Sequence, residues 1–141
     1  MKKEKKIEDA VSFSHTIVYV KDIPQLLPFY EKAFGIVPKF VHESGMYAEL
    51  DTGATTLAFA DEALGNENLP QGYIRHNKNS LPLACEIVFT VRDVQKAYDK
   101  ALQAGAIQVA DPKEKPWGQT IAYVRDPRGV LIEIASHMSA A

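Results

Sequence analysis

The 141-residue chain has almost none of the residues that build disulfide or thiolate scaffolds, and it has no long apolar segment. Cys85 is the single cysteine, which excludes an intramolecular disulfide and a thiolate-rich metal site. No apolar run approaches the roughly 18 residues that a membrane span needs. Lysine and arginine number 16 against 18 acidic residues, so no basic excess points to nucleic acid or an anionic membrane. We therefore expect a cytoplasmic protein that binds neither nucleic acid nor membrane.

The remaining composition is that of one globular domain. Hydrophobic residues make up 46% of the chain and charged residues 24%, and 141 residues suffice for a single core. The basic start, Lys2 to Lys6, is followed by Glu8 and Asp9 and not by the apolar centre of a signal peptide. We interpret residues 1–11 as a flexible tail and residues 12–137 as the domain.

A repeat organises the domain. The stretch 15–22, HTIVYVKD, resembles the stretch 86–93, EIVFTVRD, and the two lie 71 residues apart. β-Branched and aromatic residues predict a strand in each, and the closing aspartates, Asp22 and Asp93, are typical caps of a following helix. Helical periodicity follows both stretches and ends at Gly35 and Gly105.

Three short strands are predicted after each helix. They lie near 37–42, 45–51 and 55–60 in the first half, and near 107–110, 119–125 and 130–136 in the second. The fold class is therefore α+β, with two βαβββ modules (about 12–60 and 83–137) that form a cleft-bearing curved mixed sheet. The connector, residues 61–82, is rich in glycine, asparagine and proline, and we interpret it as either a plain linker or a lid.

Strand alternation brings three acid–base side chains to one side of the predicted sheet. His15, Glu86 and Glu133 each lie on the less uniformly apolar face of their strand. Glu133 stands within the apolar run VLIEIA, where burial without a partner would cost several kcal/mol. A metal, another cation or hydrogen bonds could stabilise the Glu133 carboxylate. Alternatively, that face of the strand is exposed to solvent. Cys85 points away from Glu86 and is predicted to be a small buried hydrophobe.

The motifs then resemble those of a known family. The first half has the His15 strand ending in VKD, followed by FY and FG, and the second half has PWGQ at 116–119 and DPRGVLIE at 126–133. Over residues 13–137 the chain resembles the vicinal oxygen chelate superfamily, which includes glyoxalase I, bleomycin-resistance proteins and extradiol dioxygenases. The resemblance implies paired βαβββ modules, frequent homodimers and, in many members, a divalent metal in the cavity.

The resemblance also implies the candidate site. Four strand positions face the cavity in metal-binding relatives, and here they carry His15, Ala58, Glu86 and Glu133. The position of Ala58 is usually an acid in the glyoxalase-like pattern, and that of Glu86 is often a histidine. We predict a Zn²⁺, Ni²⁺, Mn²⁺, Fe²⁺ or Co²⁺ ion on His15, Glu86 and Glu133, with Glu86 and Glu133 as catalytic proton carriers. We predict that Tyr19, Ala58 and Trp117 line the cavity around a small-molecule ligand.

Three functions follow from this site. The first is a glyoxalase-like, metal-dependent lyase or isomerase acting on a small carbonyl metabolite or thiol conjugate. The second is a non-catalytic protein that binds a drug or metabolite, as bleomycin-resistance proteins do. The third is a ring-cleaving dioxygenase. We rank it lowest, because those relatives resemble a pattern of two histidines and one carboxylate, and here Glu86 stands at one of the two histidine positions.

Overall fold

The computed structural model describes residues 10–138, so most of the predicted tail, residues 1–9, lies outside the described residues. In chain order the elements are β1 (His15–Val20), α1 (Ile23–Phe34), β2 (Pro38–Val41), β3 (Tyr47–Leu50), β4 (Thr56–Asp61), α2 (Glu62–Asn68), β5 (Ile87–Val91), α3 (Val94–Gln103), β6 (Ile107–Glu114), β7 (Thr120–Arg125) and β8 (Leu131–Ser136). The predicted α+β class and the two βαβββ modules are confirmed. The connector holds an additional helix, α2, that the sequence analysis did not predict.

Each module forms its own four-stranded mixed sheet. The strand orders are β1-β4-β3-β2 and β5-β8-β7-β6. The first strand of each module runs parallel to the last, and the other neighbours are antiparallel. Each module thus has a sheet of its own, and β1 and β5 each lie at a sheet edge.

A shared core lies between the sheets and the helices. Residues of α1 and α3, among them Tyr30 and Tyr98, join Val20, Phe59 and Ile132 from the strands in one buried cluster. Burial of such apolar surface is the main stabilising contribution to the fold. The opposite face of each sheet, turned away from this core, is called the open face below.

The two predicted helix caps differ. The Asp93 carboxylate accepts a hydrogen bond from the Lys96 amide at 3.0 Å, as predicted for α3. Asp22 has left-handed backbone angles (φ 47°, ψ 71°), and its side chain caps nothing. The Arg128 guanidinium, from the 126–129 turn of module 2, donates instead to the carbonyl oxygens of Lys21 and Asp22, at 2.7 and 3.4 Å. This contact across the modules was not predictable from the local sequence.

The last residue of β7, just before this turn, anchors the connector. The buried Arg125 guanidinium donates to the carbonyl oxygens of Asn77, Ser80 and Gly129, at 2.9, 2.6 and 2.9 Å. These bonds fix residues 77–80 against module 2, which favours the linker interpretation over the lid for this segment. None of the helices among residues 10–138 is long and apolar enough to cross a membrane.

Candidate functional site

The open face of module 2 carries a carboxyl pair. Glu86 lies immediately before β5, and Glu133 is in β8, where it pairs with Val88 on one side and Tyr123 on the other. The Tyr123 hydroxyl donates a hydrogen bond to Glu133 at 2.9 Å. Alternation along β7 and β8 puts Tyr123 and Glu133 on the open side, and Glu86 joins them from the residue that precedes β5.

The environment of this pair changes its acid–base properties. Burial raises the pKa of Glu86, and a hydrogen bond to Glu133 together with the negative charge of Glu133 raises it further. Burial and the hydrogen bond to Glu133 also raise the pKa of Tyr123 to about 12. The like charge of a neighbouring carboxylate opposes ionisation, which is why the Glu133 charge acts on the pKa of Glu86 in the same direction as burial.

The open face of module 1 carries a matching cluster around Glu49. His15 Nε2 lies 3.0 Å from Glu49 Oε2, and the Tyr47 hydroxyl donates to the same oxygen at 2.8 Å. Lys39 Nζ lies 3.8 Å from the other oxygen. The hydrogen bond from Tyr47 lowers the pKa of Glu49, and His15 and Lys39 act in the same direction. Glu49 is therefore a charged carboxylate that hydrogen bonds fix in place beside His15, the predicted metal ligand.

An acid, Glu49, lies beside position 58 on the neighbouring strand. Ala58 is fully buried in β4 and pairs directly with Glu49 in β3. The corresponding pair in module 2 is Tyr123 in β7 with Glu133 in β8. The two modules therefore carry this carboxylate on different strands, and because the Ala58 side chain is short, the Glu49 carboxylate reaches His15 across β4.

Sequence reasoning missed Glu49, although a signal was present. Tyr47 and Glu49 alternate within the predicted strand 45–51, so they share one face. The strand pairing places Glu49 opposite Ala58 and so brings its carboxylate to His15. This pairing belongs to the tertiary structure and cannot be derived from the alternation alone.

The donors form two pairs within one chain. Among residues 10–138, no group of three or more histidine, cysteine, aspartate or glutamate side chains is close enough to hold a metal ion. His15 lies with Glu49, and Glu86 lies with Glu133. Imidazole and carboxylate are suitable donors for a divalent ion, but a single chain does not assemble the three predicted ligands.

The predicted cavity-lining residues occupy different surroundings. The Tyr19 ring lies 5.5 Å from the ring of Tyr73, and its hydroxyl accepts a hydrogen bond from Asn68 at 3.4 Å, so the connector covers it. Trp117 lies in the turn before β7, is 58% exposed and donates to the Gln119 side chain at 2.9 Å. Cys85 is exposed, not buried as predicted, because it precedes β5 and lies outside the strand's alternation.

A groove of about 820 Å³ follows the edge strand β5. Glu86, Val88 and Thr90 line it together with Phe34 from α1 and Thr56 from β4. Its volume lies within the range of small-molecule sites, and it joins apolar walls to the Glu86 carboxyl group.

Comparison with known proteins agrees with this architecture. The model of the Glyoxalase/Bleomycin resistance protein/Dioxygenase superfamily matches residues 12–134, so the chain belongs to that family. A glyoxalase-related enzyme from Fulvimarina pelagi superimposes with a TM-score of 0.76 at 20% identity, covering 89% of this chain and 88% of that one. A glyoxalase/bleomycin resistance protein/dioxygenase family enzyme from Burkholderia phytofirmans PsJN gives 0.73 at 24% identity, covering 89% and 98%. A protein of unknown function from Agrobacterium tumefaciens gives 0.72 at 20% identity, covering 91% and 95%. A search of the curated proteins finds no match.

Proposed function

We propose that this protein is a glyoxalase-like lyase or isomerase that moves a proton on a small carbonyl compound. The observation that carries the proposal is the Glu86–Glu133 carboxyl pair on the open face of module 2, with Tyr123 bonded to Glu133. Family membership supports the class of reaction, and the groove beside Glu86 supports a small-molecule ligand.

The carboxyl pair suits proton transfer next to a carbonyl group. A carboxylate whose pKa is raised is a stronger base than an ordinary one, and Glu86 has that property. Glu86 would take a proton from the carbon beside the carbonyl, and the C–H electron pair would form an enolate. In a substrate with a hydroxyl group on that first carbon, Glu86 would return the proton to the former carbonyl carbon, and the hydroxyl proton would pass through solvent to the former carbonyl oxygen, which completes the isomerisation. Tyr123, by donating to Glu133, holds the second carboxyl group in place.

We further propose that the protein works as a homodimer. β1 and β5 are edge strands. Ile17 in β1 and Val88 in β5 lie on the open faces, and their exposed fractions are 45% and 48%. Unpaired edges next to apolar surface favour a covering partner. A second copy could bring His15 and Glu49 of one chain to Glu86 and Glu133 of the other. These four residues would hold the divalent ion, which when bound supplies a Lewis acid for the substrate carbonyl.

A second candidate is a binding protein without catalysis. The observation that favours it is that one chain separates the donors into two pairs while leaving an apolar groove open. Such a protein would hold its ligand in the groove along β5, and Glu86 would then serve recognition.

Deuterium exchange tests the catalytic proposal. Hemithioacetals of 2-oxoaldehydes with small thiols are incubated with the protein in D₂O, with added Zn²⁺, Ni²⁺ or Mn²⁺, and carbon-bound protons are followed by NMR. We expect exchange with the wild type and a rate about a hundredfold lower for Glu86→Gln or Glu133→Gln. Glu31→Gln, on the exposed side of α1, is the matched control and should exchange normally. Tight binding with no exchange in the wild type would favour the binding protein.

A further inference from the structure

A second cavity, of about 420 Å³, lies at the end of β1. Its walls come from β1, from the start of α2, from connector residues 75–79 and from the 127–128 turn. It shares no lining residue with the groove along β5. It is therefore distinct from the proposed catalytic site.

The lining of this cavity is strongly basic, although the chain as a whole has a net charge of −2. Four cations line it, Lys21, Arg75, Lys78 and Arg128, against one carboxylate, Glu62. Glu62 already has a partner, since Arg75 Nε lies 3.7 Å from it. Within residues 10–138, Lys21, Lys78 and Arg128 form no ion pair. Arg128 donates only to main-chain carbonyl oxygens here, which leaves its charge uncompensated.

His76 adds an unsatisfied polar atom. Its Nδ1 is buried and has no hydrogen-bond partner within the described part of the chain. Burial is the main cause that lowers the pKa of His76, so the ring is neutral and can donate from one nitrogen. A buried polar atom of this kind is normally satisfied by a water or a ligand.

The cavity walls are also fixed in place. Arg125 holds the carbonyl oxygens of Asn77 and Ser80, and a Cβ atom on Gly129 would lie 2.7 Å from the Lys78 amide nitrogen. The connector therefore packs tightly on the turn, and the backbone positions that carry Lys78 and Arg128 are fixed without a ligand. Pre-organisation of this kind reduces the entropic cost of binding.

We propose that this cavity binds the phosphate group of a small metabolite. A phosphate group carries up to two negative charges and accepts several charge-assisted hydrogen bonds, which suits a cavity lined by three uncompensated cations, with His76 in the same lining. The cavity is larger than one phosphate group, so the remainder of the ligand has space beside Val20 and Pro127.

Calorimetric titration with inorganic phosphate and pyrophosphate at constant ionic strength tests the proposal. We expect saturable binding by the wild type and about tenfold weaker binding by Lys78→Gln and by Lys21→Gln. Lys113→Gln, an exposed lysine of β6 outside the cavity, is the matched control and should bind like the wild type. Amide NMR shifts at Lys78, Asn79 and Gly129 should accompany saturation and locate the site.

Two results would overturn the proposal. One is the absence of saturable binding of either anion at millimolar concentration. The other is an equal loss of affinity in Lys78→Gln and Lys113→Gln, which would mean unspecific attraction of charge. Acetate is titrated in parallel; if acetate bound as tightly as phosphate, the assignment to phosphate would be wrong. Because the cavity and the carboxyl pair share no residue, each proposal can fail without the other.

Discussion

Each module has one carboxylate paired across two neighbouring strands of its open face, but the two modules carry this carboxylate on different strands. Module 2 carries Glu133 on its last strand, opposite Tyr123, whereas module 1 carries Glu49 one strand further in, opposite Ala58. In both clusters a tyrosine hydroxyl donates to the carboxylate, at 2.8 Å from Tyr47 and at 2.9 Å from Tyr123. The tyrosine is therefore as much a part of each cluster as the acid.

These two environments predict opposite effects of pH on stability. The pKa of Glu86 is raised above 4.5, so its folded state prefers the protonated acid, and stability falls as pH rises from that value through the raised pKa. The pKa of Glu49 is lowered, so its contribution is complete above 4.5 and is lost as pH falls through the lowered pKa. Denaturant unfolding between about pH 3 and about pH 8 measures both. Glu86→Gln should remove the decline on the alkaline side, and Glu49→Gln should remove part of the acid loss. A Glu86→Gln variant with the pH profile of the wild type would contradict the first assignment.

Metal affinity tests whether the donors act together. In calorimetric titrations with Zn²⁺, Ni²⁺ and Mn²⁺, His15→Ala, Glu86→Ala and Glu133→Ala should each weaken binding about tenfold or more, with effects far from additive because the ligands share one ion. Glu49→Ala should weaken it as well, and adding Ala58→Glu to that variant should restore part of the affinity. Glu31→Ala is the control. The prediction that these residues share one ion is contradicted if the wild type binds none of the three ions, or if Glu86→Ala binds them as tightly as the wild type.

At the scale of the elements, the 126–129 turn does more than reverse the chain. Arg125, at the end of β7, donates to the carbonyl oxygens of Asn77 in the connector and Gly129 in the turn, and Arg128 donates to the end of β1, so this short segment joins both modules. The fully buried Asp126 accepts a hydrogen bond from the Tyr30 hydroxyl of α1 at 2.7 Å, which adds a further link. The distinctive sequence of this turn therefore has a structural explanation that is independent of catalysis.

Gly129 tests the packing of the connector against this turn. Gly129 and Gly53 both have positive φ angles, 96° and 86°, but only Gly129 is crowded by backbone, because a Cβ atom there would lie 2.7 Å from the Lys78 nitrogen. Gly53→Ala should cost about 1 kcal/mol of unfolding free energy, from backbone strain alone. Gly129→Ala should cost about 3 kcal/mol or more, because the connector must also shift. Urea denaturation measures both, and equal losses would show that the contact with the connector contributes nothing.

At the scale of the whole molecule, one chain exposes apolar side chains on the edge strands β1 and β5 that a second copy could cover. Val88 and Val109 are similarly exposed, at 48% and 46%, but only Val88 lines the groove along the edge strand β5. Light scattering after gel filtration should give twice the chain mass of 15.6 kDa for the wild type. Val88→Asp should give a monomer, because a buried unpaired charge opposes association, and Val109→Asp should remain a dimer. A monomeric wild type at micromolar concentration would contradict the homodimer.

The two modules and most of their elements follow from local sequence patterns. Apolar alternation and helical periodicity are local, so the 71-residue repeat, the helix stops at Gly35 and Gly105 and the open-face positions of His15, Glu86 and Glu133 could be derived from the residues alone. The helix α2 was missed because its seven residues, EALGNEN, include a glycine and two asparagines and lack helical periodicity.

Which of those side chains meet depends on tertiary structure. Glu49 joins His15 because β3 pairs with β4 in a register that puts Ala58 between them, and register depends on contacts far apart in the sequence. The fixed connector and the left-handed Asp22 depend likewise on guanidinium groups that are 48 and 106 residues away along the chain. Local pattern fixes which face of a strand a residue occupies, whereas long-range pairing and packing fix its neighbours, and the chemistry of the site depends on the neighbours.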